Sequence, residues 1–129
     1  MASPPHVNRR PSVLVVDDEP LILKIVASLL APQHDVTCET RADAVLGRIR
    51  DGQRFDVILC DLMMPHMTGM DLHDALLEIA PDQAKVMIFV TGGAFTSRAR
   101  EFLDRVPNGS IEKPFNSASL LASVGQVIR

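Results

Sequence analysis

Three uninterrupted apolar runs, Val13–Val16, Val57–Cys60 and Val86–Val90, constrain this chain more than any other feature. Runs this short and rich in β-branched residues read as strands buried on both faces, because a strand with one wet face alternates apolar and polar side chains. Such a sheet needs a covering layer on each side, and the intervening sequence supplies it. Leu21, Ile22, Ile25, Val26, Leu29 and Leu30 recur at helical spacing between Pro20 and Pro32, as do Ala42, Val45, Leu46 and Ile49 over Ala42–Arg50. Thr68 stands three residues before Asp71 in a capping-box pattern, opening a helix with Met70, Leu72, Leu76, Leu77 and Ile79 that Pro81 should end. Thr96 is placed to cap a helix running through Asp104, and Asn116 a last helix carrying Leu120, Leu121, Val124 and Ile128. Shorter runs at Val36–Cys38 and Ser110–Glu112 complete five strands alternating with five helices.

Strict alternation of buried strands with helices calls for a parallel sheet with right-handed crossovers, so the fold class is α/β, doubly wound. The 129 residues make one domain, and a hydrophobic fraction of 47% is enough to fill its core. A formal net charge of −3 argues against a nonspecific nucleic-acid surface, and the absence of Trp and Tyr argues against binding by base stacking. No segment approaches a membrane span, and the apolar run after Arg9-Arg10 is too short for an export signal and ends in acids, so a cytoplasmic protein is expected. Cys38 and Cys60 fall in strand-like runs and read as free buried thiols, with no Cys-x-x-Cys metal spacing. His34, His66 and His73 are spaced unlike metal ligands and read as loop or surface residues. The Met63, Met64, Met67 and Met70 group reads as adaptable packing.

In doubly wound sheets, ligands bind beyond the carboxyl ends of the strands. The residues there are Asp17 and Asp18 after the first strand, Asp61 after the third, Thr91 after the fourth and Lys113 after the fifth. Each has an ordinary explanation taken singly: Asp17 and Asp18 as caps for the helix at Pro20, Asp61 as a turn residue, Thr91 as a strand end, Lys113 as a surface charge. Their joint placement points elsewhere. Gathered carboxylates need a cation to stay ionised, and hard oxygen ligands select a hard ion such as Mg²⁺. A carboxylate beside such an ion, with a hydroxyl and an ammonium nearby, suits a group that accepts phosphoryl.

The segments Leu14–Pro20, Asp61–Gly69, Thr91-Gly92 and Lys113-Pro114-Phe115 closely resemble the receiver domain of two-component response regulators. The resemblance runs from Ser12 to Arg129, with residues 1–11 as a polar tail or linker remnant. It implies a flavodoxin-like sheet of order 2-1-3-4-5 and phosphorylation of Asp61 by the phosphohistidine of a histidine kinase or histidine phosphotransfer protein. It further implies that Asp18, Asp61 and the Met63 carbonyl ligate Mg²⁺, with Asp17 acting through a water. Thr91, Lys113 and the backbone N–H groups of Met63 and Gly92 would contact the phosphoryl group, and the Lys113–Pro114 bond would be cis. Phosphorylation would switch contacts with a downstream protein. The stretch Thr91–Leu103 also resembles receivers fused to the C-terminus of hybrid sensor histidine kinases, which would make the chain part of a longer protein; a single-domain regulator is the alternative. The length leaves no room for a DNA-binding output domain.

Many receivers carry an aromatic residue three positions before the lysine, and here that position is Ser110. Output is therefore expected through the Thr91–Phe95 loop, where Gly92-Gly93 permits backbone movement. Arg98, Arg100 and Arg105 make the preceding helix locally basic, a solvated face or a contact for an acidic partner. Two other functions compete with the receiver reading. A Mg²⁺-dependent phosphohydrolase with an aspartate nucleophile would place an acid/base aspartate two residues after it, where this chain has Met63. A phosphorylation-independent binding module would ordinarily lack one of the five site residues.

Overall fold

The computed structural model describes residues 10–92 and 96–128. In chain order it contains β1 (Ser12–Val16), α1 (Pro20–Leu30), β2 (Asp35–Glu39), α2 (Ala42–Arg50), β3 (Val57–Asp61), α3 (Gly69–Ile79), α4 (Pro81–Lys85), β4 (Met87–Thr91), α5 (Ser97–Arg105), β5 (Ser110–Glu112) and α6 (Ser117–Ile128). The strands form one sheet of order β2-β1-β3-β4-β5, and every neighbouring pair is parallel. Alternate residues of each strand feed opposite sides. Leu14, Val16, Ile58, Cys60, Met87 and Phe89 pack under α2, α3, α4 and α5, while Val13, Val15, Val57, Leu59, Ile88 and Val90 pack under α1 and α6.

The predicted caps are present. Thr68 and Asp71 form a reciprocal capping box at α3, Thr96 Oγ1 accepts from the Ala99 N–H at α5, and Asn116 Oδ1 accepts from the Ser119 N–H at α6. Asp17 and Asp18 do not cap α1, whose N-cap is Glu19 with no side-chain hydrogen bond. The Lys113–Pro114 peptide is cis.

Four expectations need correction. There are six helices among the described residues, because Pro81 ends α3 and then opens the short α4, the first helical turn being where proline's missing N–H costs nothing. The α4 turn is fastened to the chain before β3 by Gln83, whose side-chain amide accepts from the Phe55 N–H at 2.8 Å and donates to the Phe55 carbonyl at 3.1 Å. Cys38 is exposed, since β2 is an edge strand with a neighbour on only one side. His34 is buried, with Nδ1 donating to the Leu30 carbonyl at 3.0 Å where α1 ends. His73 is buried as well, edge-on to the rings of Phe89 and Phe102. Among the described residues, no helix is long and apolar enough to cross a membrane.

Gly69, the first residue of α3, sets how closely that helix sits on the end of β3. A Cβ there would lie 2.6 Å from the Asp61 carbonyl oxygen and 3.1 Å from the Leu62 Cα, both backbone atoms that cannot step aside. Gly69→Ala should therefore destabilise the fold by about 1–3 kcal/mol in urea denaturation. Gly47, in the middle of α2, has nothing within 4 Å of such a Cβ. Gly47→Ala should stabilise the protein by about 0.5–1 kcal/mol in the same assay. Equal effects at the two positions would contradict this packing.

Candidate functional site

Parallel pairing carries every strand's carboxyl end to the same edge. Val16 is level with Cys60, Asp61 with Val90, and Thr91 with Glu112, so the residues at and just past these pairs meet there. Asp17 follows β1, Asp61 ends β3, Thr91 ends β4 and Lys113 follows β5. Asp17, Asp18 and Asp61 each offer a carboxylate oxygen within 4.8 Å of the others. Asp17, Asp61 and Thr91 are buried, whereas Asp18 is exposed at the mouth of the cluster.

The buried carboxylates are held from several directions. The Asp17 N–H donates to the Glu39 carbonyl at 3.1 Å, tying it to the end of β2. Its Oδ1 accepts from the Glu19 N–H at 2.9 Å and its Oδ2 from Lys113 Nζ at 3.2 Å. Lys113 Nζ also lies 3.7 Å from Asp61 Oδ2, so one ammonium is shared between two acids. The Lys113 N–H in turn donates to the Thr91 carbonyl at 2.7 Å, which fixes the start of this side chain against β4.

The electrostatics follow from this crowding. Burial, with Asp17 and to a lesser degree Asp18 beside it, pushes the Asp61 carboxyl up to about 6, against the pull of Lys113 and a hydrogen bond from the Met63 N–H. Burial disfavours the Lys113 ammonium, but Asp61 and Asp17 outweigh it and raise its pKa. The Cys60 thiol lies behind the site; burial, with the Asp61 and Asp17 charges, pushes it upward and leaves it a packing group.

Asp17, Asp18, Asp61, Thr91 and Lys113 are thus brought to one edge. Met63 follows β3, with its N–H on Asp61 and its side chain 45% exposed, and Gly92 is exposed immediately after Thr91. Gly93, Ala94 and Phe95, on which the expected output loop rests, lie outside the described residues. Ser110 is exposed. Arg98, in the basic helix, pairs with Asp71 at 2.9 Å and so joins α5 to the N-terminus of α3.

Two features of this edge escaped the sequence reading. The first is Gly69, whose lack of a side chain lets α3 approach the Asp61 carbonyl; its place directly after a capping threonine was the available signal. The second is an apolar groove of about 340 Å³ lined by Ile22, Ile25, Lys113, Pro114 and Phe115, next to the carboxylates through Lys113. Of the apolar residues that recur at helical spacing in α1, Leu21 and Ile25 are 66% and 45% exposed. Seven large apolar residues in one short helix, Leu23 among them, exceed what a single buried stripe absorbs, and that surplus was the clue.

Comparison with known proteins agrees with this geometry. The sequence profile of the response regulator receiver domain matches residues 13–125. The heme response regulator HssR of Staphylococcus aureus (strain JH9) is 30% identical over 117 residues, covering 90% of this chain and 50% of that protein. The chain therefore spans about half the length of the curated relatives it matches. Among solved structures, a CheY-like response regulator receiver domain protein from Methanospirillum hungatei JF-1 is 27% identical with a TM-score of 0.81, over 93% of this chain and 94% of that one. The Francisella response regulator 1452 receiver domain is 25% identical with a TM-score of 0.76, over 92% and 97%. With the fold, the acidic pocket and the family profile in agreement, the chain belongs to the response regulator receiver domain family.

Proposed function

We propose that this chain is the phosphoacceptor in a two-component phosphorelay, taking a phosphoryl group from a phosphohistidine onto Asp61 with Mg²⁺ as cofactor. The observation that carries this reading is the position of Asp61, at the end of the central strand β3, flanked by Asp17, Asp18 and Lys113. The donor set fits a hard divalent ion. Three carboxylates against one shared ammonium leave two negative charges uncompensated, and all the ligand atoms are oxygens. Asp18, Asp61 and the Met63 carbonyl would hold the ion directly, and Asp17 would do so through water. When bound, it supplies positive charge to the oxygens of the transferring group.

The chain's own groups account for the rest. An Asp61 carboxylate oxygen attacks phosphorus in line, the P–N bond to the donor imidazole breaks as the P–O bond forms, and the nitrogen keeps the electron pair. Lys113 then pairs with the phosphoryl group, Thr91 donates its hydroxyl, and the Met63 and Gly92 N–H groups donate to the remaining oxygens. No acid/base side chain stands two residues beyond Asp61, where Met63 is found. This favours a receiver over a phosphohydrolase turning over external substrates. Retention of all five site residues favours it over a phosphorylation-independent module.

A donor protein must bring its histidine to this edge, and the groove beside Lys113 is suited to it. Exposed Ile25 with half-buried Ile22 and Phe115 forms an apolar surface continuous with the site, matching a histidine kinase or histidine phosphotransfer helix. A cytoplasmic location, a receiver domain starting at Ser12, and a downstream target or further domains in a longer protein, such as a hybrid histidine kinase, belong to the same proposal.

Incubation with Mg²⁺ and a small phosphodonor should add one phosphoryl group by intact mass, and Asp61→Asn should abolish it. Lys113→Ala should slow the addition by on the order of a hundredfold. An equal adduct on Asp61→Asn would contradict the assignment. The raised Asp61 pKa gives a second test. Below the unfolded value of 3.8 the carboxyl is protonated in both states. As pH rises toward about 6 only the unfolded chain ionises freely, so folded stability falls, and above that the penalty is complete. In chelator, Asp61→Asn should therefore raise the melting temperature at pH 7.5 and lose that advantage as pH approaches 4. A gain of equal size at both ends would contradict it.

A further inference from the structure

Away from the acidic edge, α3, α4 and the turn after α5 enclose a second groove, of about 300 Å³, which the phosphoryl chemistry does not use. That volume lies at the small end of the range for organic ligand sites. Its lining includes His73, Leu77, Lys85, Arg105, Val106 and Asn108. The walls are apolar and firmly built. Asn108 Nδ2 donates to the carbonyls of Ala84 and Met87, both at 2.9 Å, and so locks the turn after α5 onto the end of α4 and the start of β4. Leu77 is 47% exposed, a large apolar side chain on this groove with no cover.

The charged side chains that line the groove, Lys85 and Arg105, are of one sign, and the nearest acid recorded beside the lining is Asp74, next to His73. Lys85 ends α4 and Arg105 ends α5. Among the described residues neither forms an ion pair, whereas Arg10, Arg41, Arg48, Arg54 and Arg98 each have a carboxylate partner. The Arg105 guanidinium instead sits over the Phe102 ring, 5.5 Å from its centroid. Helix C-termini favour cations, which explains each residue on its own helix, but not why both line one groove with no acid in its lining. The lining also includes the imidazole of His73. It is only 4% exposed, its Nδ1 has no hydrogen-bond partner, and the nearest carboxylate oxygen, on Asp74, is 3.8 Å away. Buried polar atoms are seldom left unpaired.

We propose that this groove binds a small amphipathic organic acid, with its apolar body against Leu77 and Val106 and its carboxylate between Lys85 and Arg105. The inference goes beyond the phosphoacceptor reading and does not depend on it. Octanoate is the probe, followed by ¹H–¹⁵N spectra of the whole chain, with octanamide as the uncharged control of equal length. Octanoate should give saturable shifts at Leu77, Lys85, Val106 and Asn108 and at the His73 ring. Affinity should fall by about fivefold or more for octanamide, and by as much for octanoate on Lys85→Ala/Arg105→Ala. Both substituted positions are exposed, and the octanamide comparison on the unsubstituted chain decides the matter even if the double variant folds poorly. Absence of saturable shifts, equal binding of octanamide, or unchanged octanoate binding by a folded double variant would overturn the proposal. A hexaglutamate peptide shifting the same resonances as tightly as octanoate would also overturn it, by showing an acidic-protein contact instead.

Discussion

The carboxylates of Asp17, Asp18 and Asp61 lie within 4.8 Å of one another, and two of the three residues are buried. Like charges so close, partly removed from water, oppose folding unless other groups restrain and neutralise them. The surrounding structure does both. Glu39 and Glu19 hold Asp17 through the backbone, the Met63 N–H bonds Asp61, and Lys113 stands between the two buried acids. The compensation is incomplete, since Asp61 remains harder to ionise than a solvated aspartate. A site left with uncompensated negative charge could hold a metal ion.

That arrangement depends on packing remote from the charges. A parallel sheet buried on both faces gives all strands one direction, so every carboxyl end arrives at the same edge. Gly69 then lets α3 begin directly against the Asp61 carbonyl, and its N–H donates to the Leu62 carbonyl at 2.9 Å, closing the loop that carries Met63. The His73–Phe89–Phe102 ring cluster anchors α5 beneath the same β4 that ends in Thr91. Stability and chemistry thus share residues along β3 and β4, and changes there should affect both.

Much of this was legible in the residues themselves. Val13–Val16, Val57–Cys60 and Val86–Val90 announce buried strands by composition, and Thr68, Thr96 and Asn116 mark helix starts through local hydrogen bonds that need no tertiary context. What escaped notice depended on position in three dimensions. Cys38 looks like a core residue until β2 proves to be the sheet edge, and His34 and His73 look like surface residues until a helix end and an aromatic pocket enclose them. Pro81 is both a stop and a start, and the Gln83 contacts with Phe55, distant in sequence, fasten the helix that follows. At the site, the sequence named the acids and the lysine, while the sharing of one ammonium between Asp17 and Asp61 required coordinates.

Burial and the neighbouring carboxylates hold back the ionisation of Asp61, and a bound divalent cation should release it. Calorimetric titration of Mg²⁺ at pH 6 and pH 8, in buffers of differing ionisation enthalpy, tests this directly. With Asp61 titrating at about 6, Mg²⁺ binding should release protons at the lower pH and almost none at the higher. Failure to bind Mg²⁺ saturably, or binding with no difference in proton release between the two pH values, would contradict the account.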